Sequence, residues 1–430
     1  MYNNSKPIIT RNISDIKFEE YDLDNGLHVI LHEDKTNPIV TIDLWYHVGS
    51  KNEARGKTGF AHLFEHMMFQ GSENVKRTEH FKYIQKAGGY LNGSTSQDRT
   101  NYYESLPSNQ LELALWLESD RMGSLDVNQE NFDNQRDVVI EEKNQRNDNV
   151  PYGTKWSNLF KYSFKNEPYE WVPIGSIEDL NNATLEDAKK FYAKYYSPSN
   201  AVVTISGDIS CDSALEKVHK YFGSIKSNIK FKDNFGEIKF NTGEVKEKVY
   251  DAVKIPGVFI AFKIPGLTEN ETPALELLTS ILGSSRSSRL YSNVVYDRKL
   301  SKSANSFMWD NELGGLLIIS CLGFVNSNPD EIEKGVTETI ENLMIKPVTD
   351  FEIEKSKNYL ETLITDSLQT NLGKAENLSY YRTYFKDTGL INTNYEKYSK
   401  ITAEEIMRTA TKYLVNDNRV VLHYISKNGN

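Results

Sequence analysis

The 430-residue sequence predicts an α+β protein made of two homologous α/β-layer domains, and three observations carry that reading. The chain is too long for one ordinary hydrophobic core, so two or more domains are expected. The segment from Thr184 to Val203 returns without a gap from Thr402 to Val421, at a constant offset of 218 residues. Strands with apolar alternation, such as Ile39 to His47 and Val202 to Ser206, alternate with long helical stretches. That pattern points to mostly antiparallel sheet flanked by helices rather than a doubly wound parallel sheet.

Along the chain, an apolar stretch without proline predicts a buried helix from about Thr58 to Phe69. Tyr90 to Tyr103 reads as a strand rich in polar and aromatic residues, which on its own describes an exposed sheet edge. A helix-compatible run follows from Asn134 to Arg146. Each copy of the repeat then reads as a threonine N-cap (Thr184, Thr402), a helix, a polar turn and a strand ending in Val202-Val203 or Val420-Val421. Two such copies half a chain apart imply duplication. The lysine-rich stretch 225–248 is the expected linker, dividing the chain into domains 1–224 and 249–430.

Composition narrows the function classes. A net charge of −10 disfavours nonspecific nucleic-acid binding. No apolar run approaches the roughly 18 residues of a membrane span. The start Met1-Tyr2-Asn3-Asn4-Ser5-Lys6-Pro7 does not read as a secretory signal, which predicts a cytoplasmic protein, or a periplasmic or organellar one if a leader was removed. Cys211 and Cys321 are too few for a disulfide framework or a thiolate zinc site and are expected as two buried free thiols.

The chemistry is concentrated in His62-Leu63-Phe64-Glu65-His66. A helical step of four residues returns to nearly the same face, so His62 and His66 can share one metal ion while Glu65 points towards the same space. The order is that of the inverted H-x-x-E-H zinc motif. By composition alone such a pentapeptide arises in roughly one chain in a hundred, so the setting has to carry the inference. The setting is apolar, and two imidazoles and a carboxylate buried there without partners cost several kcal/mol, a cost that zinc coordination removes. The bland alternative is a pair of hydrogen-bonded core histidines. A catalytic zinc needs a third protein ligand and an open position for water. Glu141 and Glu142, in the Asn134–Arg146 helix, are candidates, although an acidic pair there also fits a solvated helix face.

Three segments together resemble the M16 metallopeptidases, the family of pitrilysin, insulin-degrading enzyme and the mitochondrial processing peptidase. They are the pentapeptide, the run from Gly88 to Tyr102, and Arg136-Asp137-Val138-Val139-Ile140-Glu141-Glu142. The resemblance covers essentially the whole chain and implies a processing-peptidase-like fold. It also implies that Glu142, 76 residues after His66, is the third ligand of one Zn2+ per chain, with Glu65 as general base in peptide hydrolysis. It further implies that the Tyr90–Tyr103 edge pairs with extended or unfolded peptides, with Asn92 and Thr95 as contacts.

Two positions depart from the family pattern. Gln135 stands where many members carry a second glutamate, seven residues before the third ligand. The arginine and tyrosine that many relatives supply from the second half fall near Tyr296 and near Lys302 or Ser303, with Arg289 ahead of the expected place. The repeat offset sets His62 against Ser280 and Glu65 against Gly283, so the second half lacks the zinc residues. A dimeric chamber is therefore expected, preferably with a metal-free homologous subunit and otherwise as a homodimer. The competing expectation is a non-catalytic structural or assembly subunit.

Overall fold

The computed structural model describes residues 15–227, 235–240 and 243–427. The first half contributes β1 (Glu19–Asp22), β2 (His28–Glu33), β3 (Ile39–Tyr46), α1 (Phe60–Met67), α2 (Glu79–Lys86), β4 (Tyr90–Thr95) and β5 (Thr100–Pro107). It continues through α3 (Leu111–Ser124), α4 (Gln129–Lys143), α5 (Lys155–Ser163), α6 (Ile177–Asn182), α7 (Leu185–Tyr195), β6 (Ala201–Gly207) and α8 (Cys211–Phe222). The second half runs through β7 (Val245–Asp251), β8 (Gly257–Ile264), α9 (Thr272–Gly283), β9 (Ser301–Trp309), β10 (Gly315–Gly323), α10 (Pro329–Ile345), α11 (Asp350–Ser367) and α12 (Asn371–Tyr380). The helix Ala403–Tyr413 and β11 (Arg419–Ser426) follow.

The strands form two sheets, ordered β1-β2-β6-β3-β5-β4 and β7-β11-β8-β10-β9. Setting β1 aside, the two orders are the same. Each sheet has one parallel pair, β2 with β6 and β7 with β11, and is antiparallel elsewhere. The repeated sequence has a local physical counterpart. Thr184 and Thr402 each cap the following helix in a reciprocal box, with Asp187 and Glu405 respectively.

The central strands are buried on both faces, and the second face of each sheet is covered by a helix from the other half. In the first sheet Ile42, Leu44 and Tyr46 join the core beneath α1, α3 and α8. Asp43, on the opposite face of β3, accepts a hydrogen bond from Ser379 of α12 (3.2 Å), and Ser379 also bonds Thr204 of β6 (2.8 Å). Reciprocally, Leu159 and Phe160 of α5 pack with Phe259, Ala261, Leu316, Ile318 and Val420 of the second sheet. Phe160 lies edge-on to Trp309 at 5.0 Å.

A buried charge cluster ties the halves together. Lys51, 2% exposed, bridges Asp98 (3.1 Å) and Glu312, and His47 lies 2.7 Å from the same Glu312 carboxylate. Tyr169 donates to Asp98 (2.5 Å) and accepts from the Leu313 backbone (3.1 Å), while the Glu312 backbone donates to Asp98 (2.9 Å). Asp98 lies in the β4–β5 turn and Glu312 in the β9–β10 turn, so the two hairpin tips meet. Burial pushes the Glu312 carboxyl up, but the hydrogen bonds and charges of His47 and Lys51 outweigh it and hold the group at about 2.

Several expectations are corrected. Helix α1 starts at Phe60, because Gly59 takes a positive φ of 94° that interrupts the helix, and it ends at Met67. Helix α4 starts five residues before Asn134, at Gln129, where Asn128 caps it by accepting from the Asn131 backbone at 2.8 Å. The Tyr90–Tyr103 segment is two strands, since the Ser96 hydroxyl accepts from the backbones of Asp98 (3.2 Å) and Arg99 (3.1 Å) and folds the chain into a hairpin. Of that hairpin only β4 is a sheet edge. The stretch 225–248 runs into β7, and its residues 228–234 and 241–242 lie outside the described residues. Both cysteines are free, but Cys211 is half-buried, as the first residue of α8, and only Cys321 is in the core. Among the described residues no helix is long and apolar enough to cross a membrane.

Two consequences can be measured. Phe160→Ala removes a fully buried ring from the exchanged helix α5 and is expected to cost about 3–5 kcal/mol in urea unfolding; a loss below about 1 kcal/mol would show that α5 does not anchor there. Because the folded Glu312 sits below the ordinary carboxylate value of 4.5, its contribution is full above that pH and is lost as the pH falls towards 2. Glu312→Gln should therefore destabilise the protein at neutral pH, with a deficit that narrows below about pH 4.5; a pH-independent deficit would contradict the account.

Candidate metal centre

Helix α1 buries Phe60, Leu63, Phe64 and Met67 in the first core, which leaves His62, Glu65 and His66 on its half-buried face. Helix α4 packs against α1 and brings Glu142 to that face. Glu142 Oε2 lies 3.2 Å from His66 Nε2 and 3.8 Å from His62 Nε2, and the two imidazoles meet edge to face at 4.9 Å. All three donor atoms fall within 4.8 Å of one another. A tetrahedral ion held about 2.1 Å from each donor needs donor separations of roughly 3.4 Å, so small side-chain adjustments would close the site on zinc.

The electrostatics suit a metal. Burial, helped by the neighbouring His66 and Arg146, pushes His62 down to about 3, so the ring is neutral and able to coordinate. Arg146 Nη1 donates to Glu142 Oε1 at 2.6 Å, which leaves Oε2 facing the histidines. Glu141 is exposed and accepts from Gln145 (2.6 Å), on the other side of the helix. Of the acidic pair, only Glu142 reaches the site.

Glu65 is held by a hydrogen bond from the Thr95 hydroxyl to its Oε2 (2.6 Å). Burial raises its pKa, while Thr95 and His66 pull it back. Gly93 faces it across β4, since a Cβ there would come within 3.1 Å of Glu65 Cγ. Side chains alternate along a strand, so Gly93 and Thr95 share the Glu65 face and Asn92 points to the other. Asn92 is exposed, and its Oδ1 accepts from the Gly93 backbone (2.9 Å). Gln135 is buried on α4 and donates to Asn134 (2.8 Å).

Among the described residues the second half contains no counterpart. A Cβ on Gly283, the position matching Glu65, would lie 2.2 Å from the Ser306 backbone of β9, so α9 closes onto its edge strand where α1 leaves room for a carboxylate. Arg289 is committed to Glu352 of α11 (2.7 Å) and to the carbonyls of Lys346 (2.9 Å) and Pro347 (3.1 Å). Tyr296 is 74% exposed.

Two further histidine–carboxylate groups occur among the described residues, and each already holds a cation. Arg121 occupies the His80/Glu104/Glu118 group through Glu118, and Lys246 and Arg419 occupy the Asp330/Glu333/His423 group. In the His62/His66/Glu142 group Arg146 takes only Oε1 of Glu142, and Oε2 stays with the two histidines. Sequence reasoning did not pick out Arg146, although its i,i+4 spacing from Glu142 was visible, nor the groups that fix the start of α1.

Residues 28–169 match the description "Insulinase (Peptidase family M16)" and residues 182–360 match "Peptidase M16 inactive domain". The chain is 31% identical over 410 residues to the zinc protease PqqE of Helicobacter pylori, covering 92% of this chain and 90% of that protein. The crystal structure of a protease from Helicobacter pylori superposes with a TM-score of 0.90 at 29% identity, over 96% of this chain and 100% of that one. A peptidase M16 inactive domain from Pseudomonas fluorescens shares the fold, with a TM-score of 0.85 at 16% identity over 96% and 100% of the two chains. With two matching sheets, one converging donor set and a relative this similar over most of its length, the chain belongs to peptidase family M16.

Proposed function

We propose that the chain is a zinc-dependent endopeptidase acting on extended or unfolded peptides. The observation that carries this reading is the convergence of His62, His66 and Glu142 beside a separately held carboxylate, Glu65. The three donors would hold one Zn2+, which when bound supplies Lewis acidity to the scissile carbonyl and acidifies water in the open position.

Glu65 performs the proton transfers. Its free oxygen takes a proton from the attacking water as the new C–O bond forms. The same proton passes to the leaving amine nitrogen as the C–N bond breaks. Thr95 fixes one Glu65 oxygen and leaves the other to the reaction.

The outer edge of β4 offers an unpaired ladder to an extended substrate strand. Main-chain pairing of this kind tolerates many sequences. Asn92 is available to substrate on the exposed edge, whereas the Thr95 hydroxyl is engaged with Glu65, so Thr95 meets substrate through its backbone. The commitment of Arg289 elsewhere supports a dimer in which a metal-free homologous subunit completes the chamber, with a homodimer as the alternative.

Glu65→Gln keeps the shape and removes the base. The variant is expected to retain zinc and to lose cleavage of a quenched peptide by about 10²–10⁴-fold. Unchanged cleavage would reject the mechanism. Zinc binding by the native chain without cleavage, alone or with a metal-free homologue, would favour the non-catalytic subunit.

A further inference from the structure

We propose that Glu53 is a positioning residue for the metal centre, setting where α1 delivers His62 and His66; the inference rests on the zinc reading above. Helix α1 has only eight residues, and its N-terminal backbone N–H groups need partners from outside the helix. The usual solution, a serine or aspartate at the N-cap, is closed here. The N-cap is Gly59, its φ is +94°, and its side-chain position is crowded by Leu180 and by the Ile174 carbonyl.

Glu53 supplies the cap from six residues upstream. Its Oε2 accepts from the Gly59 backbone (2.9 Å) and its Oε1 from the Ala61 backbone (2.8 Å), immediately before His62. Both oxygens accept from backbone N–H groups, and negative charge at a helix N-terminus is favoured by the helix dipole. The carboxylate is 7% exposed. Burying a charge is costly, and burial pushes Glu53 up to about 8 against the pull of those two N–H groups.

The anchor itself is fixed. Glu53 follows the short turn Ser50–Asn52, whose Ser50 carbonyl accepts from Trp171 (2.9 Å) and whose Asn52 carbonyl accepts from Tyr195 (3.0 Å). Lys51, in the same turn, belongs to the charge cluster joining the two halves. The two bonds from Glu53 therefore reference α1 to a rigid point rather than merely terminating it. His62 and His66 must meet Glu142, which arrives on a different helix, so a slip of α1 along its axis changes the donor separations directly.

The test measures zinc affinity of the full chain by chelator competition, together with the visible spectrum of the Co2+-substituted protein. Glu53→Gln leaves one N–H facing an amide donor. It is expected to weaken zinc by about 10–100-fold, shift the cobalt spectrum, and lower kcat with KM unchanged. Thr349→Ala, which removes the N-cap of α11, is the control for a lost cap alone; it should lower Tm and leave zinc affinity and the cobalt spectrum as in the native chain. Should Glu53→Gln not fold, Glu53→Asp, which keeps the carboxyl group but is one methylene too short to span both N–H groups, reads the same quantities. A folded Glu53 variant with native zinc affinity and spectrum overturns the proposal. A native chain that binds no zinc overturns the zinc reading and this proposal together, whereas zinc binding without peptide cleavage removes only the peptidase reading and leaves the Glu53 comparison decisive.

Discussion

Where α1 crosses α4, three polar side chains are half-buried beside the first core, and the surrounding structure keeps them facing one another. Two imidazoles and a carboxylate in that position are costly unless something satisfies them. Part of the compensation is internal. His66 and Glu142 lie 3.2 Å apart, and Arg146 takes the outer oxygen of Glu142. The donor atoms of the three lie within 4.8 Å of one another, the spacing that the proposed zinc would use. The apolar side of α1, the cap from Glu53 and the hydrogen bond from Thr95 to Glu65 all fix groups around those atoms.

The two halves share a fold and differ in how tightly one helix approaches one edge strand. In the first half, Gly93 on the edge strand gives space and α1 fills it with the Glu65 side chain. In the second, the glycine is on the helix, at Gly283, and the backbones close. Exchanging helices α5 and α12 between the sheets makes the pair a single packed body. The Lys51–Asp98–Glu312 cluster joins the tip of the β4–β5 hairpin to its counterpart across the molecule. The edge strand β4, the one proposed to pair with substrate, is thus held at one end by the second half.

Much of this was legible in the sequence because it is local. The helical spacing of His62 and His66, the threonine caps at 184 and 402, and the 218-residue repeat are read from neighbours in the chain. The choice of Glu142 over Glu141 came from family resemblance, and the geometry gives its reason: one faces α1 and the other faces solvent beside Gln145. What could not be read depends on long-range placement. Glu53 and Thr95 act on groups brought to them by folding, and nothing in periodicity announces that α5 covers the opposite sheet. The turn at Ser96–Arg99 was missed because its polar residues also suit an exposed strand, and only the serine-to-backbone bonds reveal the reversal.

The account stands on the convergence of His62, His66 and Glu142 on one metal ion. Its most direct test is the zinc content of the purified full chain and of Glu142→Ala after equilibration with micromolar zinc. The account predicts one zinc per native chain, and a folded Glu142→Ala variant that does not retain it. A native chain that takes up no zinc, or a Glu142→Ala variant that holds it as tightly as the native protein, would contradict it.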